Sequence, residues 1–457
     1  MGTMLLRGCD VIDGMSNPPQ RDMDVLVEGN RIERVEPTGG EWVQALPATA
    51  ARIDATGKTV MPGLIDAHCH MTYGESFTQE EQDIYTSVES RTLRSAWNVQ
   101  KVLFAGVTGI SQPGGSYFIG VALRDGIKSG HVKGPRMTSA GRYITTSNGL
   151  TDWYPDDAGI IEGGIGIRCN TLDEMIAEVR RQVKNGVDLV KLADSPYGEY
   201  QSFRDVELQA IADLAHQLNR RCTIHARGDA EMRASVRAGF DWVMHGNVMK
   251  QETVDLMAEQ RTLLIPTLLL LHQWAVHGEL IGTPRHIAEA CKRMLDRTHD
   301  SLHLARDAGV LFGIGTDTGF SMTPYGEWHA KELELLMEYA GLSAVEAIAA
   351  GTYNNGRVLN LDGQVGAVAT GMLADLLVVD GDPSVDITVL QDKTKFEHII
   401  LDGEFVEVNL ELESWAYDRA LTQATRNLTV DLLAQAQEDG RAQQPVAVTG
   451  LMNPIAE

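Results

Sequence analysis

The chain has 457 residues, 43% of them hydrophobic and 22% charged, and a formal net charge of −24. That balance belongs to a globular protein with ample core, and the length exceeds a usual single domain unless an α/β barrel takes up most of it. So acidic a surface argues against nucleic-acid backbones and anionic membranes as partners.

The N-terminal "MGTMLLRGCDVIDG" has no basic region followed by a long apolar stretch, so no signal peptide is expected. Leu6 stands where a myristoylation signal needs Ser or Thr. Residues 3–60 read as short strands with tight turns, and Glu-Gly-Asn between "VLV" and "RIERV" signals a hairpin. The same texture returns in "ADLLVVDGDP" and "FEHIILDGEFVEV". Residues 1–60 and 361–410 are therefore expected to build one small β-sandwich domain from both chain ends.

Residues 61–360 alternate apolar strands with amphipathic helices. The expected strands are "LIDAHCH", "GVTGISQ", "PRMTSAGR", "VDLVKLA", "RCTIHAR", "DWVMHG", "TLLIPT" and "VLFGIGTD". Helical stretches such as "TLDEMIAEVRRQVKNG" and "DVELQAIADLAHQLNR" lie between them and end near Gly or Asn. Eight strands alternating with helices predict an α/β fold, a (β/α)8 TIM barrel. The alternative, a doubly wound sheet, lacks its usual glycine-rich loop after the first strand. The longest apolar run, "LLIPTLLLL", is about half a membrane span. Residues 411–457 read as a polar, helical C-terminal extension. Five scattered cysteines suit a reducing compartment, so a cytoplasmic protein with a small-molecule substrate is expected. A homo-oligomer is expected too, with the extension as its contact.

"VMPGLIDAHCHMTYGE" places two histidines at i and i+2 where a buried strand ends. On a strand these share a face, so His68 and His70 point together into the barrel mouth while Cys69 points away. Two imidazoles so placed make half a metal site, although an H-x-H pair alone is weak evidence. Lys191 lies in an apolar strand, where a lysine must be paired, neutral or modified. His225 and His245 end the fifth and sixth strands, and Asp317 ends the eighth. Singly, each has an ordinary reading as a hydrogen-bonded histidine or a turn-forming aspartate. Six coordinating residues, all at strand ends, are hard to obtain by chance.

In order and spacing, "PGLIDAHCH", "GVDLVKLA", "CTIHARG", "WVMHGN", "GIGTDTG" and "EAIAAGTYNNGRVLNL...GAVATGMLADLLVVDGDP" resemble the metal-dependent amidohydrolase superfamily over roughly residues 1–410. They look closest to its imidazolonepropionase-like and prolidase-like branch, and within it are similar to phenylurea and molinate hydrolases. The resemblance implies two divalent ions, zinc first, with manganese or cobalt as substitutes. His68, His70 and Asp317 would hold one and His225 and His245 the other, with carboxylated Lys191 between them. It further implies that a metal-bound hydroxide cleaves an amide, carbamate or urea bond of a small apolar or aromatic substrate. Asp317 would be the catalytic proton carrier.

Peptide-cleaving relatives carry a second histidine two residues after the strand-five ligand. Here that position is Arg227, which could hold a substrate carboxylate or pair with a loop acid. This leaves an Xaa-Pro-type dipeptidase or N-acyl-amino-acid hydrolase as the alternative, and a metal-free scaffold as the non-enzyme one. In "YITTSNGLTDWYPD", Tyr143, Asn148, Trp153 and Tyr154 are candidates to line the substrate pocket. "TLLLLHQWAVHGELIGTP" reads as a lid, a pocket wall or an oligomer contact. His329 is expected on a helix near the mouth in a structural role. His131, His216, His286, His299, His303 and His398 are read as non-catalytic.

Overall fold

Residues 2–159, 161–408 and 427–440 are described by the computed structural model. The N-terminal segment forms β1 (Thr3–Val11), β2 (Gln20–Glu28), β3 (Arg31–Pro37), β4 (Ala51–Asp54) and β5 (Thr59–Pro62). β2 and β3 make the expected hairpin, with Glu28 opposite Arg31 and Gly29 at φ +63° in the turn. Such a backbone suits glycine, which has no Cβ to clash.

The middle of the chain supplies β6 (Leu64–Asp66), β7 (Val107–Gln112), β8 (Arg136–Ser139), β9 (Tyr143–Thr145), β10 (Gly166–Arg168), β11 (Leu189–Ala193), β12 (Arg221–Ala226), β13 (Trp242–His245) and β14 (Leu263–Ile265). Then β15 (Leu376–Val379), β16 (Phe396–Leu401) and β17 (Glu404–Phe405) return to the first sheet. Its order is β17-β16-β15-β5-β1-β2-β3, with β4 on β1, so both ends of the segment share one sheet. Val25, Val27, Ile32, Val60, Leu376 and Val378 pack into its core.

The middle strands pair in parallel, β6-β7-β8 in one sheet and β10-β9-β11-β12-β13-β14 in the other. Single backbone bonds bridge the two sheets. Asp188 donates to the Ser139 carbonyl at 2.8 Å, linking β8 to β11. At the other side, Leu264 donates to Leu311 at 2.9 Å, Gly313 to Leu264 at 2.9 Å and Ala67 to Ile314 at 3.0 Å. Residues 310–317 are therefore not the regular eighth strand expected, but are held by these bonds and one bridge, Leu264 to Phe312. The cause is local. Asn355 donates from Nδ2 to the carbonyls of Ile65 and Ile314, at 2.7 and 2.8 Å, and takes over part of the ladder. β9 and β10, which periodicity does not mark, are inserted between β8 and β11.

Helices cover the strands where amphipathic spacing expects them. The helix Leu172–Lys184 starts at a capping box, with Thr171 accepting from the Glu174 amide and Glu174 reaching back to the Thr171 amide. It buries Met175 and Val179, one turn apart. The helix Asp205–Gln217 buries Leu208, Ile211, Ala212 and Ala215.

Of the expected extension 411–457, only residues 427–440 fall among those described, and they contain the helix Val430–Glu438. Just before it the chain is tied to the middle segment. Leu428 donates to the Ser321 carbonyl at 2.8 Å and accepts from Trp328 Nε1 at 2.7 Å, while Asn427 donates to Glu75 at 2.6 Å. No described helix is long and apolar enough to cross a membrane.

Candidate metal centre

β6 ends at Asp66, so His68 and His70 lie just past the strand rather than within it. A buried carboxylate fixes this turn. Asp66 accepts from the His68 amide at 3.0 Å and from the Thr316 amide at 3.1 Å, and its other oxygen accepts from His329 Nδ1 at 2.7 Å. It thereby fastens the histidine pair to the segment bearing Asp317. His329 is not helical, contrary to expectation; it sits in turns just before the helix Lys331–Ala340 and is fully buried on Asp66.

The hydrogen bonds of His68 and His70 orient both rings. His68 Nδ1 bonds Thr267 Oγ1 at 3.0 Å, and His70 Nδ1 donates to the Gly114 carbonyl at 2.9 Å. Each therefore turns Nε2 inward, 3.4 Å and 3.1 Å from Asp317 Oδ1. The ligating atoms of His68, His70 and Asp317 lie within 4.8 Å of one another, a set that can hold one metal ion.

The remaining predicted ligands stand beside this set. The ring centroids of His68 and His245 are 5.4 Å apart, and those of His245 and His225 are 4.2 Å apart. Nε2 of His225 and both ring nitrogens of His245 are buried without a hydrogen-bond partner among the described residues. Buried nitrogens left unpaired cost about 1–3 kcal/mol each, a cost that a bound cation removes. Lys191 is fully buried on β11, its Nζ 2.6 Å from Met244 Sδ and 5.6 Å from the ring of Tyr143. The donor set therefore fits divalent cations.

Electrostatics agree with that chemistry. Burial, reinforced by neighbouring cations, holds His225 and His245 well below the usual imidazole range. Burial does the same to His68 against the pull of Asp317. Neutral imidazole is the form that ligates. Burial also draws Lys191 down to about 7, with Asp317 opposing and Arg227 assisting. Burial pushes the Asp317 carboxyl up, but His68 and His70 more than offset it, so it stays ionised. His245 and Asp317 both have left-handed backbones, at φ +80° and +54°. Such strain in non-glycine residues is held at functional sites when the surroundings over-determine it.

The substrate-side candidates divide. Tyr143 lies on β9, and its hydroxyl is 3.0 Å from His70 Nε2 and 2.7 Å from the Tyr73 hydroxyl. Asn148 is exposed, held by its backbone to Asp152 and to the Tyr200 hydroxyl, and Trp153 is half-buried; the contacts that tie Tyr143 to His70 do not include them. Tyr154 donates to Asp83 at 3.2 Å. Arg227 donates from Nη1 to Asn247 Oδ1 at 2.7 Å, and Asn247 in turn donates to Thr298 at 2.8 Å. Arg227 has no ion pair with a carboxylate among the described residues.

An aromatic wall, unmarked by any motif, grows from His70. Tyr73 stacks on it at 4.3 Å and 10°, Phe320 meets Tyr73 at 5.0 Å, and Trp274 meets Phe320 at 6.1 Å. Trp274 belongs to the helix Leu269–His277, the apolar segment expected as a lid or wall. Glu332 caps that helix, accepting from the amides of Leu268 and Leu269 at 2.8 Å each.

Comparison with known proteins matches residues 59–406 to the amidohydrolase family. Ochratoxinase of Aspergillus niger is 26% identical over 376 residues, covering 76% of this chain and 75% of that protein. The crystal structure of a Xaa-Pro dipeptidase with bound methionine superposes with a TM-score of 0.78 at 27% identity, covering 89% of this chain and all of that one. Molinate hydrolase shares the fold, with a TM-score of 0.71 at 20% identity over 94% of this chain and 99% of its own.

Proposed function

The chain belongs to the amidohydrolase family and is a hydrolase acting on carbon–nitrogen bonds, and from that premise we propose a binuclear metal hydrolase on a (β/α)8 barrel. It cleaves an amide, carbamate or urea bond in a small molecule with an aromatic or apolar part. One observation carries the reading: His68, His70 and Asp317 converge beside the unpartnered nitrogens of His225 and His245 and the buried amine of Lys191.

Two divalent ions, zinc first and manganese or cobalt as substitutes, would supply Lewis acidity and an ionised water. His68, His70 and Asp317 would hold one, and His225 and His245 the other. Lys191, drawn down to about 7, presents a neutral amine near neutral pH. Addition of its nitrogen to carbon dioxide, with loss of a proton, would turn this buried amine into an anionic carbamate that offers oxygen rather than nitrogen as a ligand atom. Asp317 takes a proton from the attacking water and delivers it to the leaving nitrogen, for which its ionised state is the right starting form. The wall of Tyr73, Phe320 and Trp274 packs against the apolar part of the substrate and keeps bulk water away.

Arg227 favours a second reading, hydrolysis of dipeptides or N-acyl amino acids. A half-buried guanidinium with one neutral acceptor and no acid is suited to a substrate carboxylate. The test is a screen of anilides, phenylureas, carbamates and dipeptides with metal-replete protein. Chelation should abolish turnover, and zinc, manganese or cobalt should restore it. Turnover untouched by chelation sinks the mechanism. The winning substrate class decides between the two readings.

A further inference from the structure

A second group of ligating atoms lies at the opposite ends of the same strands, and it reaches beyond the function proposed above. His216 is in the last turn of the helix Asp205–Gln217, Cys222 is the second residue of β12, and Asp241 immediately precedes β13. All three sit where strands begin, whereas His225 and His245 sit where β12 and β13 end.

His216 Nε2 is 2.9 Å from Asp241 Oδ2 and 3.8 Å from Cys222 Sγ. The nitrogen, sulfur and oxygen all fall within 4.8 Å of one another. Tetrahedral zinc with bonds of this kind has ligand–ligand edges of roughly 3.3–3.7 Å, so the observed separations need only small adjustments. The Asp241 carboxylate is already oriented, because Oδ2 also accepts from the Cys222 amide at 2.8 Å. The backbone adds a bond from the Asp241 amide to the Cys222 carbonyl at 3.1 Å. His216 also forms one wall of a cavity of about 420 Å³, shared with Asp188, Asn219, Arg220, Arg221 and Asn360. That cavity brings solvent to the His216 ring.

We propose that His216, Cys222 and Asp241 form a structural site for a zinc-class cation, with water from the adjoining cavity as fourth ligand. Nitrogen, thiolate and carboxylate donors in a tetrahedral set suit zinc, and cobalt takes the same geometry. On binding, the Cys222 S–H bond breaks, a sulfur–metal bond forms and the proton leaves to solvent. The ion staples the end of one helix to the starts of two strands and stabilises the folded chain by linkage.

Cobalt(II) distinguishes this site from the main centre. No ligand of the main centre is a cysteine, so a thiolate-to-cobalt charge-transfer band in the near ultraviolet belongs to Cys222 alone. Titrating the metal-free full chain with cobalt(II) should raise this band to saturation by three equivalents per chain, two of them taken by the main centre, and zinc should displace it. It should persist in His68→Ala/His70→Ala and vanish in Cys222→Ser. His216→Ala, at an exposed position, should also abolish it and covers the case in which Cys222→Ser misfolds. A wild-type chain without the band, or a band retained in either single variant, overturns the proposal.

Discussion

Gly315 runs so close beneath His68 that a Cβ on it would lie 2.5 Å from the His68 Cβ and equally close to Ile265. The absence of a side chain is what lets the Asp317 segment pass alongside the histidine pair. Gly315→Ala must therefore push the two segments apart. Overpacking of this kind costs roughly 1–3 kcal/mol, so the melting temperature should fall, and bound metal should fall with it. Thermal unfolding with elemental analysis checks both; an alanine variant with unchanged stability and metal content contradicts the close approach.

Lys191→Ala removes the amine that the proposed mechanism carboxylates. Activity should drop by about 10²-fold or more, since changes in the outer shell of a metal already cost 10–100-fold. A short carboxylic acid in the buffer should restore part of it by occupying the vacated space. Full activity in the variant, with no acid added, removes the bridging role.

Arg227→Met separates the two substrate classes. If the guanidinium holds a carboxylate, KM for carboxylated substrates should rise roughly tenfold to a hundredfold, with neutral amides little changed. Steady-state kinetics on a matched acid and amide pair reads the difference. Equal effects on both argue for a purely positional role through Asn247.

Glu332 carries a pH signature. Burial pushes its carboxyl up to about 8, against the two amide bonds that favour the charged form. The folded chain thus holds this proton more tightly than the unfolded chain, whose carboxyl titrates near its ordinary value. Stability from this residue is full at low pH and falls as pH rises through about 4.5 to 8. Glu332→Gln should flatten that part of the profile at equal metal content, as followed by denaturant unfolding across the range. An unchanged slope shows that Glu332 does not set it.

The local pattern decided more of this protein than its low complexity of motif would suggest. Apolar strands alternating with amphipathic helices announced parallel strands with helices between them. The i, i+2 spacing singled out His68 and His70, and strand ends singled out Lys191, His225, His245 and Asp317. These are properties of neighbouring residues, which a linear chain displays. Only the tertiary structure decided what surrounds them. Asp66 meets His329 across 263 positions, Tyr143 reaches His70 across 73, and Leu428 closes on Trp328 across 100. The unpaired nitrogens of His225 and His245, the space left by Gly315 and the grouping of His216 with Cys222 and Asp241 are likewise invisible to periodicity. They arise from packing between distant segments, where backbone approach and desolvation rather than local preference determine which atoms meet.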